Sequence, residues 1–173
     1  MTHQIQTAHP RIQVISAAPA QAPILANLLE LYVHDFSEFR SLEIGDDGRF
    51  GYPSLPLYWS DPDRHPFLVQ VDGKLAGLVF VKRASGMLGA DSVWDMAEFF
   101  VIRGYRRRGI GTHVAHEVWK RFPGLWEVRV MQTNISAQHF WAEAIAKFLG
   151  HAIRPVHIQK GGDCWILFSF EVD

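Results

Sequence analysis

The chain has one cysteine, almost no net charge and no long apolar run. Cys164 can form no disulfide within the chain, which favours a reducing, cytoplasmic location. Seventeen basic and 18 acidic residues leave a formal charge of -1, so no overall field gathers nucleic acid or an anionic membrane. The apolar stretch at residues 165–168 falls far short of the roughly 20 residues that a membrane span needs. We therefore expect a cytoplasmic protein without a nucleic-acid or membrane partner.

Metal-binding motifs are also missing. Nine histidines are present, but the nearest pair, His113 and His116, is followed by Glu117 and does not have HExxH spacing, and the chain has no CxxC motif. The sequence therefore predicts surface histidines and no metal cofactor.

The composition that is present is that of a packed globular protein. Apolar residues make up 48% and aromatic residues 13% of the 173 positions. Residues 1–10 show no periodicity and are expected to be a flexible N-terminus, while residues 11–173 have the length of one domain. The sequence does not determine the oligomeric state, and a homodimer is compatible with it.

Apolar periodicity and turn residues predict eleven segments in order. They are a strand at 12–15, a helix at 22–39, an aromatic loop rich in glycine and proline at 41–66, hairpin strands at 67–71 and 75–81, a strand at 93–102, a helix at 109–122, a strand at 126–131, a helix at 135–149, and hairpin strands at 152–158 and 164–172. This order contains one strand–helix–strand crossover and predicts an α/β sandwich with a mixed sheet.

The turn at residues 106–111 has the features of an anion-binding site. Arg106, Arg107 and Arg108 follow an apolar strand, and Gly109-Ile110-Gly111 opens an amphipathic helix. The first N–H groups of a helix have no partners within it, and the helix dipole adds positive charge at the same end. Glycines allow close approach to the backbone, and arginines donate forked hydrogen bonds to phosphate. The turn predicts a phosphorylated ligand.

Two common phosphate motifs do not fit this turn. A Walker loop from Gly104 and Gly109 would continue with lysine and then serine or threonine, where Ile110 and Gly111 stand. A dinucleotide fingerprint would place a third glycine at position 114, which is valine. The remaining pattern is (Arg/Gln)xxGx(Gly/Ala) after an apolar-x-Val strand.

This pattern resembles the acetyl-CoA loop of the GCN5-related N-acetyltransferases (GNAT), and the order of elements resembles that family from Ile12 to Val172. The resemblance implies a sandwich whose mixed, mostly antiparallel sheet is splayed between the strands before and after the loop helix. It implies acetyl-CoA as cosubstrate, held by the strand residues Phe99, Phe100 and Val101 and by the loop residues Arg106, Arg107, Arg108, Gly109, Ile110, Gly111 and Thr112.

The family's later motif, Asn-x-x-Ala-x-x-Phe-Tyr, is similar to the stretch that begins at Asn134 and ends at Trp141. Both of these residues are expected to line the cofactor site. A tyrosine at the last position often protonates the departing thiolate in the family. Trp141 cannot replace it, because an indole N–H is a donor only and does not serve as an acid.

Asp95 and Glu98 are the candidate general bases on the strand before the loop. Their odd separation puts them on opposite faces of a regular strand, unless a bulge intervenes. Asp95 would share a face with Phe99 and Val101, and it is preferred because members of the resembled family often carry a base 11 residues before the first loop arginine. Glu98 would share a face with Trp94, Met96 and Phe100, where burial would raise its pKa, and it is the reserve.

Tyr52 and Tyr58 are candidate acids in place of Trp141, and protonation by solvent is the alternative. Both tyrosines lie in the 41–66 loop, which together with the first helix is expected to cover the acceptor. Acidic and aromatic residues are mixed there, a combination that suits a cation such as an amine, a polyamine or a lysine side chain.

The sequence thus predicts an N-acetyltransferase that moves an acetyl group from acetyl-CoA to a primary amine by direct transfer in a ternary complex. The acceptor would be a small molecule or a peptide. The alternative is a catalytically weak acyl-CoA sensor, which Trp141 in place of tyrosine motivates. Nucleic-acid binding through the arginine run is disfavoured by the balanced charge of the chain.

Overall fold

A computed structural model describes residues 9–173; the predicted flexible segment therefore lies largely outside the described residues. The strands are β1 (Ile12–Ser16), β2 (Arg64–Val71), β3 (Lys74–Ala84), β4 (Val93–Val101), β5 (Gly124–Met131), β6 (Val156–Lys160) and β7 (Asp163–Val172). The helices are α1 (Ala22–Phe36), α2 (Leu57–Ser60), α3 (Ile110–Trp119) and α4 (Ile135–Leu149), with 3-10 turns at Pro19–Gln21 and Arg103–Tyr105.

The seven strands form one sheet in the order β1-β2-β3-β4-β5-β7-β6. Every neighbouring pair is antiparallel except β4 and β5, which are parallel and are joined through α3. The predicted α/β sandwich with a mixed, mostly antiparallel sheet is confirmed. Of the helices described in residues 9–173, none is long and apolar enough to cross a membrane.

Each face of the sheet carries its own core. Helices α3 and α4 cover one face, where Trp119 and Ile145 are fully buried against Val79 and Trp126. Helices α1 and α2 cover the other face, which we call the α1 face. Its core holds residues such as Leu25, Tyr58, Phe80 and Phe100. These two layers explain the apolar stripes of the helices, since each stripe faces one side of the sheet.

Several predicted boundaries were wrong by a few residues. Helix α1 ends at Phe36 because turns follow it, and α3 ends at Trp119, ahead of the predicted residue 122. The 41–66 loop contains the single turn of α2 and the start of β2, and β6 begins at Val156 instead of residue 152. The helix ends fray over one or two residues, and the starts of β2 and β6 depend on pairing with neighbouring strands, which local pattern does not contain.

The sheet opens between β4 and β5. These strands pair only at Trp94↔Trp126 and Asp95↔Glu127, whereas β5 pairs with β7 along its whole length. Beyond Asp95, β4 has no paired strand on its β5 side within the described residues. The resulting V-shaped gap, the splay, lies directly beside the second half of β4 and leads to the arginine turn.

Candidate active site

The turn before α3 leaves the first backbone N–H groups of the helix without helical partners. Gly109 is the N-cap of α3 with φ +73°, and no side chain of residues 9–173 caps this end. The first helical bond runs from the His113 N–H to the Gly109 carbonyl (3.1 Å), so no helical carbonyl accepts from the N–H groups of residues 110–112. Arg107 is also left-handed, with φ +57°, and alternating handedness of this kind turns successive N–H groups into an anion-binding concavity.

The three arginines of the turn have different surroundings. Arg106 is committed within the protein: its Nε donates to the Val101 carbonyl (2.6 Å), and its guanidinium pairs with Asp35 of α1 (2.5 Å). Asp35 also accepts from Arg103 (2.7 Å). Burial alone would raise the pKa of Asp35, but hydrogen bonds from the two arginines outweigh it and lower the pKa. Arg107 and Arg108 are exposed. Unlike Arg106, they can bind an anion without breaking the ion pair with Asp35.

The two glycines of the turn have different physical roles. Space around Gly109 is open, because a Cβ built there meets no atom within 4 Å. A Cβ on Gly111 would lie 3.0 Å from the ring of Phe140 in α4. Gly111 therefore lets α3 approach α4 closely, whereas the open space beside the backbone lies at Gly109.

Backbone groups of β4 point into the splay where the resemblance places the cofactor arm. The Ile102 N–H donates to the Ala76 carbonyl of β3 (2.8 Å). Because backbone groups alternate in direction along a strand, those of Phe99 and Val101 face away from β3 and toward the gap. The Val101 carbonyl accepts from Arg106 here, and Phe100 packs into the core of the α1 face.

Asn134 and Trp141 have structural roles that the sequence pattern did not specify. Asn134 is the N-cap of α4, and its Oδ1 accepts from the Ala137 N–H (3.0 Å). Trp141 is 6% exposed and packs edge-on against Phe99, with ring centroids 4.8 Å apart. Trp141 is therefore part of the core beneath the splay.

A bulge in β4 brings Asp95 and Glu98 to the same face of the sheet. Their partners on β3 are Lys82 and Phe80, which are two residues apart and so share a face. The register skips Ala97, which has no partner. The expectation of a regular strand was wrong: Trp94 and Met96 share the α3–α4 side with Phe99 and Val101, whereas Asp95 lies on the α1 face with Glu98 and Phe100.

Glu98 sits at the edge of the splay in a largely desolvated setting. The Tyr52 hydroxyl donates to its Oε1 (2.7 Å). Burial raises the pKa of the Glu98 carboxyl, while hydrogen bonds from Tyr32 and Tyr52 and the charge of Arg129 offset only part of this rise. Burial, followed by the negative charge of Glu98, in turn raises the pKa of both tyrosines, which stay protonated as donors.

Asp95 is held in a buried ion-pair cluster. Its side chain is 8% exposed, and its Oδ2 lies 3.0 Å from the Arg129 guanidinium and 3.5 Å from the Lys82 ammonium. Both cations contact the same carboxylate oxygen and occupy lone pairs that a base would use. This geometry favours Glu98 over Asp95 as a proton acceptor.

Other candidate residues of the 41–66 loop and of α1 make contacts within the fold. Tyr58 is 2% exposed and its ring lies 4.1 Å from that of Phe80; burial, followed by the charge of Glu98, raises its pKa to about 12. Glu30 of α1 accepts from the N–H groups of Phe50 (2.8 Å) and Gly51 (3.0 Å) and so fastens the loop. The acids expected to hold a cationic acceptor therefore include side chains that hold the fold, such as Glu30 and Asp35.

Sequence reasoning missed a second polar row on β5. Glu127 and Arg129 alternate with the buried residues Trp126, Val128 and Val130, a period-two signal that places both on one face. Glu127 accepts from the Met87 N–H (2.8 Å). The alternation could have revealed this row, but not its contact with Asp95.

Within residues 9–173, no group of three or more His, Cys, Asp or Glu side chains could hold a metal ion. No curated protein matches the chain in sequence. Solved structures match this chain in fold. One is an acetyltransferase from Thermus thermophilus, which is 16% identical in sequence to this chain and superimposes with TM-score 0.65 over 93% of this chain and 97% of that one.

Two further fold matches carry more specific names. Arabidopsis thaliana NAA60, solved in complex with a bisubstrate analogue, is 16% identical with TM-score 0.59 over 94% of this chain and 99% of that one. A spermidine N-acetyltransferase from Vibrio cholerae is 11% identical with TM-score 0.59 over 92% and 93%. The sequence model described as the acetyltransferase (GNAT) family matches residues 25–145, which include the splay, the arginine turn and Glu98. This protein belongs to the GNAT family of acetyltransferases.

Proposed function

We propose that this protein is an N-acetyltransferase that moves an acetyl group from acetyl-CoA directly to a primary amine in a ternary complex. The observation that carries the proposal is the placement of Glu98. It lies on β4 at the mouth of the splay, three residues before the Val101 backbone that points into the gap, and the anion-binding turn follows on the same chain. A proton acceptor and a cofactor cradle thus share one strand.

The residues present fit coenzyme A. Its pyrophosphate would be held by the N–H groups of residues 110–112 together with Arg107 and Arg108, and its pantetheine arm would lie along Phe99 and Val101 in the splay. Bound acetyl-CoA would supply the activated acetyl group. Arg106 supports the turn from within by tying it to β4 and α1.

Glu98 would take the proton from the acceptor amine, directly or through one water. A raised pKa makes its carboxylate a stronger base than an exposed glutamate at neutral pH. Tyr52 would position the carboxylate, because its hydroxyl donates to Oε1. With the Tyr52 proton directed at Glu98 and Tyr58 buried, we assign the protonation of the thiolate to solvent.

The direct test is thiol release from acetyl-CoA with a panel of primary amines. We expect turnover with at least one amine, dependent on Glu98. CoA binding by calorimetry without turnover for any amine would contradict the enzyme and favour the acyl-CoA sensor. Absence of CoA binding would contradict both.

Replacing Gly109 by alanine is expected to weaken CoA binding. A non-glycine residue at φ +73° costs roughly 1–2 kcal/mol, which corresponds to about a 5- to 30-fold loss of affinity if the turn relaxes. The added methyl also occupies the open space where the phosphate would approach. Calorimetric titration with CoA measures the change. Gly104→Ala is the matched control, since Gly104 lies in the same turn with open space and no positive φ; equal affinities in the two variants would show that the turn does not hold the phosphates.

Replacing Tyr52 by phenylalanine is expected to move the acidic limb of the pH–rate profile upward. The Tyr52 hydrogen bond stabilises the charged form of Glu98 and lowers its pKa, so its loss raises the pKa further. A base must be deprotonated to act, and activity therefore begins at higher pH, by about one pH unit for one hydrogen bond to a charge. The pH profiles of kcat/KM are measured for the variant and the wild type with the same amine. The ionisation of the amine then affects both profiles equally and does not contribute to the difference between them. Tyr58→Phe is the control and should shift the acidic limb less. An acidic limb at the same pH in Tyr52→Phe and the wild type would contradict the role of Glu98 as the base.

A further inference from the structure

A cavity lies on the α1 face beside Glu98. Its volume is about 300 Å³, at the small end of ligand pockets. Strands β3, β4 and β5 form its floor, and the β6–β7 hairpin and the loop after β3 form its walls. The charged lining residues are Lys82, Asp95, Glu127, Arg129 and Lys160.

The cavity has an excess of positive charge. Three cations face two carboxylates, and both carboxylates are already used: Asp95 by Lys82 and Arg129, and Glu127 by the N–H groups of the loop after β3. The Arg129 ion pair uses one of its terminal nitrogens, and about a third of its side chain is exposed. No carboxylate of the described residues pairs with Lys160. Arg129 and Lys160 therefore both keep donors that a ligand in the cavity can use.

The cavity and the proton acceptor are neighbours. Asp95 and Glu98 share the α1 face because of the bulge, and they are separated by one ladder position on β3. That spacing is about 7 Å along the strand. The positive charge of Arg129 acts on the Glu98 carboxyl as well as on Asp95. Glu98 does not itself line the cavity, but a small ligand bound at Arg129 would lie close to it.

We propose that the acceptor amine carries a carboxylate, as an amino acid does, and that Arg129 and Lys160 bind this carboxylate while the amine faces Glu98. The proposal rests on the proposed function, of which it specifies the substrate class. A guanidinium positioned by a buried aspartate is pre-organised for a carboxylate. Polyamines and other polycations would place a second positive charge next to Arg129 and Lys160, and like charges disfavour this arrangement.

The test compares free L-amino acids with their amides. In each amide a neutral carboxamide replaces the carboxylate of the free acid. Thiol release from acetyl-CoA gives kcat/KM for the free acid and for the amide. We expect the free acid of the preferred pair to exceed its amide by about 10- to 100-fold, the size of one or two charge-assisted hydrogen bonds. The amine of an amino acid amide is less basic than that of the free acid, so more of it is in the reactive neutral form. This difference favours the amide, and a preference for the free acid cannot therefore result from it.

Lys160→Met separates carboxylate binding from chemistry. Lys160 is exposed on the edge strand β6, so its loss leaves the core intact. We expect KM for free acids to rise about tenfold with kcat and the amides unchanged. Lys147→Met on α4 is the matched control and should change neither series. Joint replacement by Arg129→Met and Asp95→Asn removes a cation together with its buried partner, and it should abolish the preference for the free acid.

The outcomes distinguish the two proposals. Amides that react as well as or better than free acids would overturn the carboxylate site and leave the acetyltransferase in place. No thiol release from any amine would overturn the proposed function. In that case thermal shift with free acids and amides still tests the cavity: stabilisation by the free acid alone, lost in Lys160→Met, supports the site, and equal or no stabilisation overturns it.

Discussion

Replacing Glu98 by glutamine lowers kcat by about 10²- to 10⁴-fold, the usual contribution of a positioned general base. Glutamine keeps the shape of the side chain and can still accept from the Tyr52 hydroxyl, which donates to Oε1 at 2.7 Å in the wild type. It cannot take a proton from an amine at neutral pH. CoA affinity should stay unchanged, because Glu98 lies on the face opposite the α3–α4 layer and contributes no group to the turn.

The measurement is kcat at saturating acetyl-CoA, together with calorimetry for CoA and a thermal melt. Glu143→Gln is the matched control, an exposed glutamate on α4 that pairs with Lys147 at 3.7 Å. The wild type should also show an acidic limb above the usual range of a glutamate, because burial raises the pKa of Glu98. A Glu98→Gln enzyme with full kcat would remove Glu98 from the mechanism and return attention to Asp95.

The overall architecture could be predicted because its signals are local. Helical stripes in α1, α3 and α4, the Asp72-Gly73 turn between β2 and β3 and the glycine that ends α4 are each encoded within a few residues. The order of these elements then restricts the topology to a few possibilities. The arginine turn belongs to the same class, since a strand, three cations and a glycine helix start are contiguous in the sequence.

The arrangement of the two carboxylates could not be predicted, because it depends on pairing between strands. The bulge at Ala97 arises where β3 and β4 change register, and nothing in the letters around Ala97 marks it. One unpaired residue puts Asp95 on the face of Glu98 and Phe100, instead of on the predicted face with Phe99 and Val101. The same limit applies to Arg106: its partner Asp35 is 71 residues earlier in the chain, so the run of three arginines looks uniform until the fold is known.

Replacing Asp95 by asparagine is expected to cost stability, in contrast to Glu98→Gln. The substitution leaves Arg129 and Lys82 without their shared anion beside a side chain that is 8% exposed. Removing one partner of a buried pair costs roughly 3–5 kcal/mol. The two cations keep 32% and 26% of their side chains exposed, and water can therefore compensate part of the loss. We expect a decrease of about 2 kcal/mol in the free energy of unfolding, measured by urea denaturation.

Activity in the Asp95→Asn variant separates the two carboxylates. If Asp95 holds Arg129 and Lys82 in place without taking the proton, kcat per folded molecule stays within a few-fold of the wild type, although KM rises because Arg129 loses its anchor. Asp91→Asn is the matched control, an exposed aspartate just before β4, and it should change neither quantity. A variant with unchanged stability and a kcat reduced as far as in Glu98→Gln would identify Asp95 as the base. Such a result would mean that the two cations move away from Oδ2 of Asp95 during turnover, because both of them contact that oxygen in this structure.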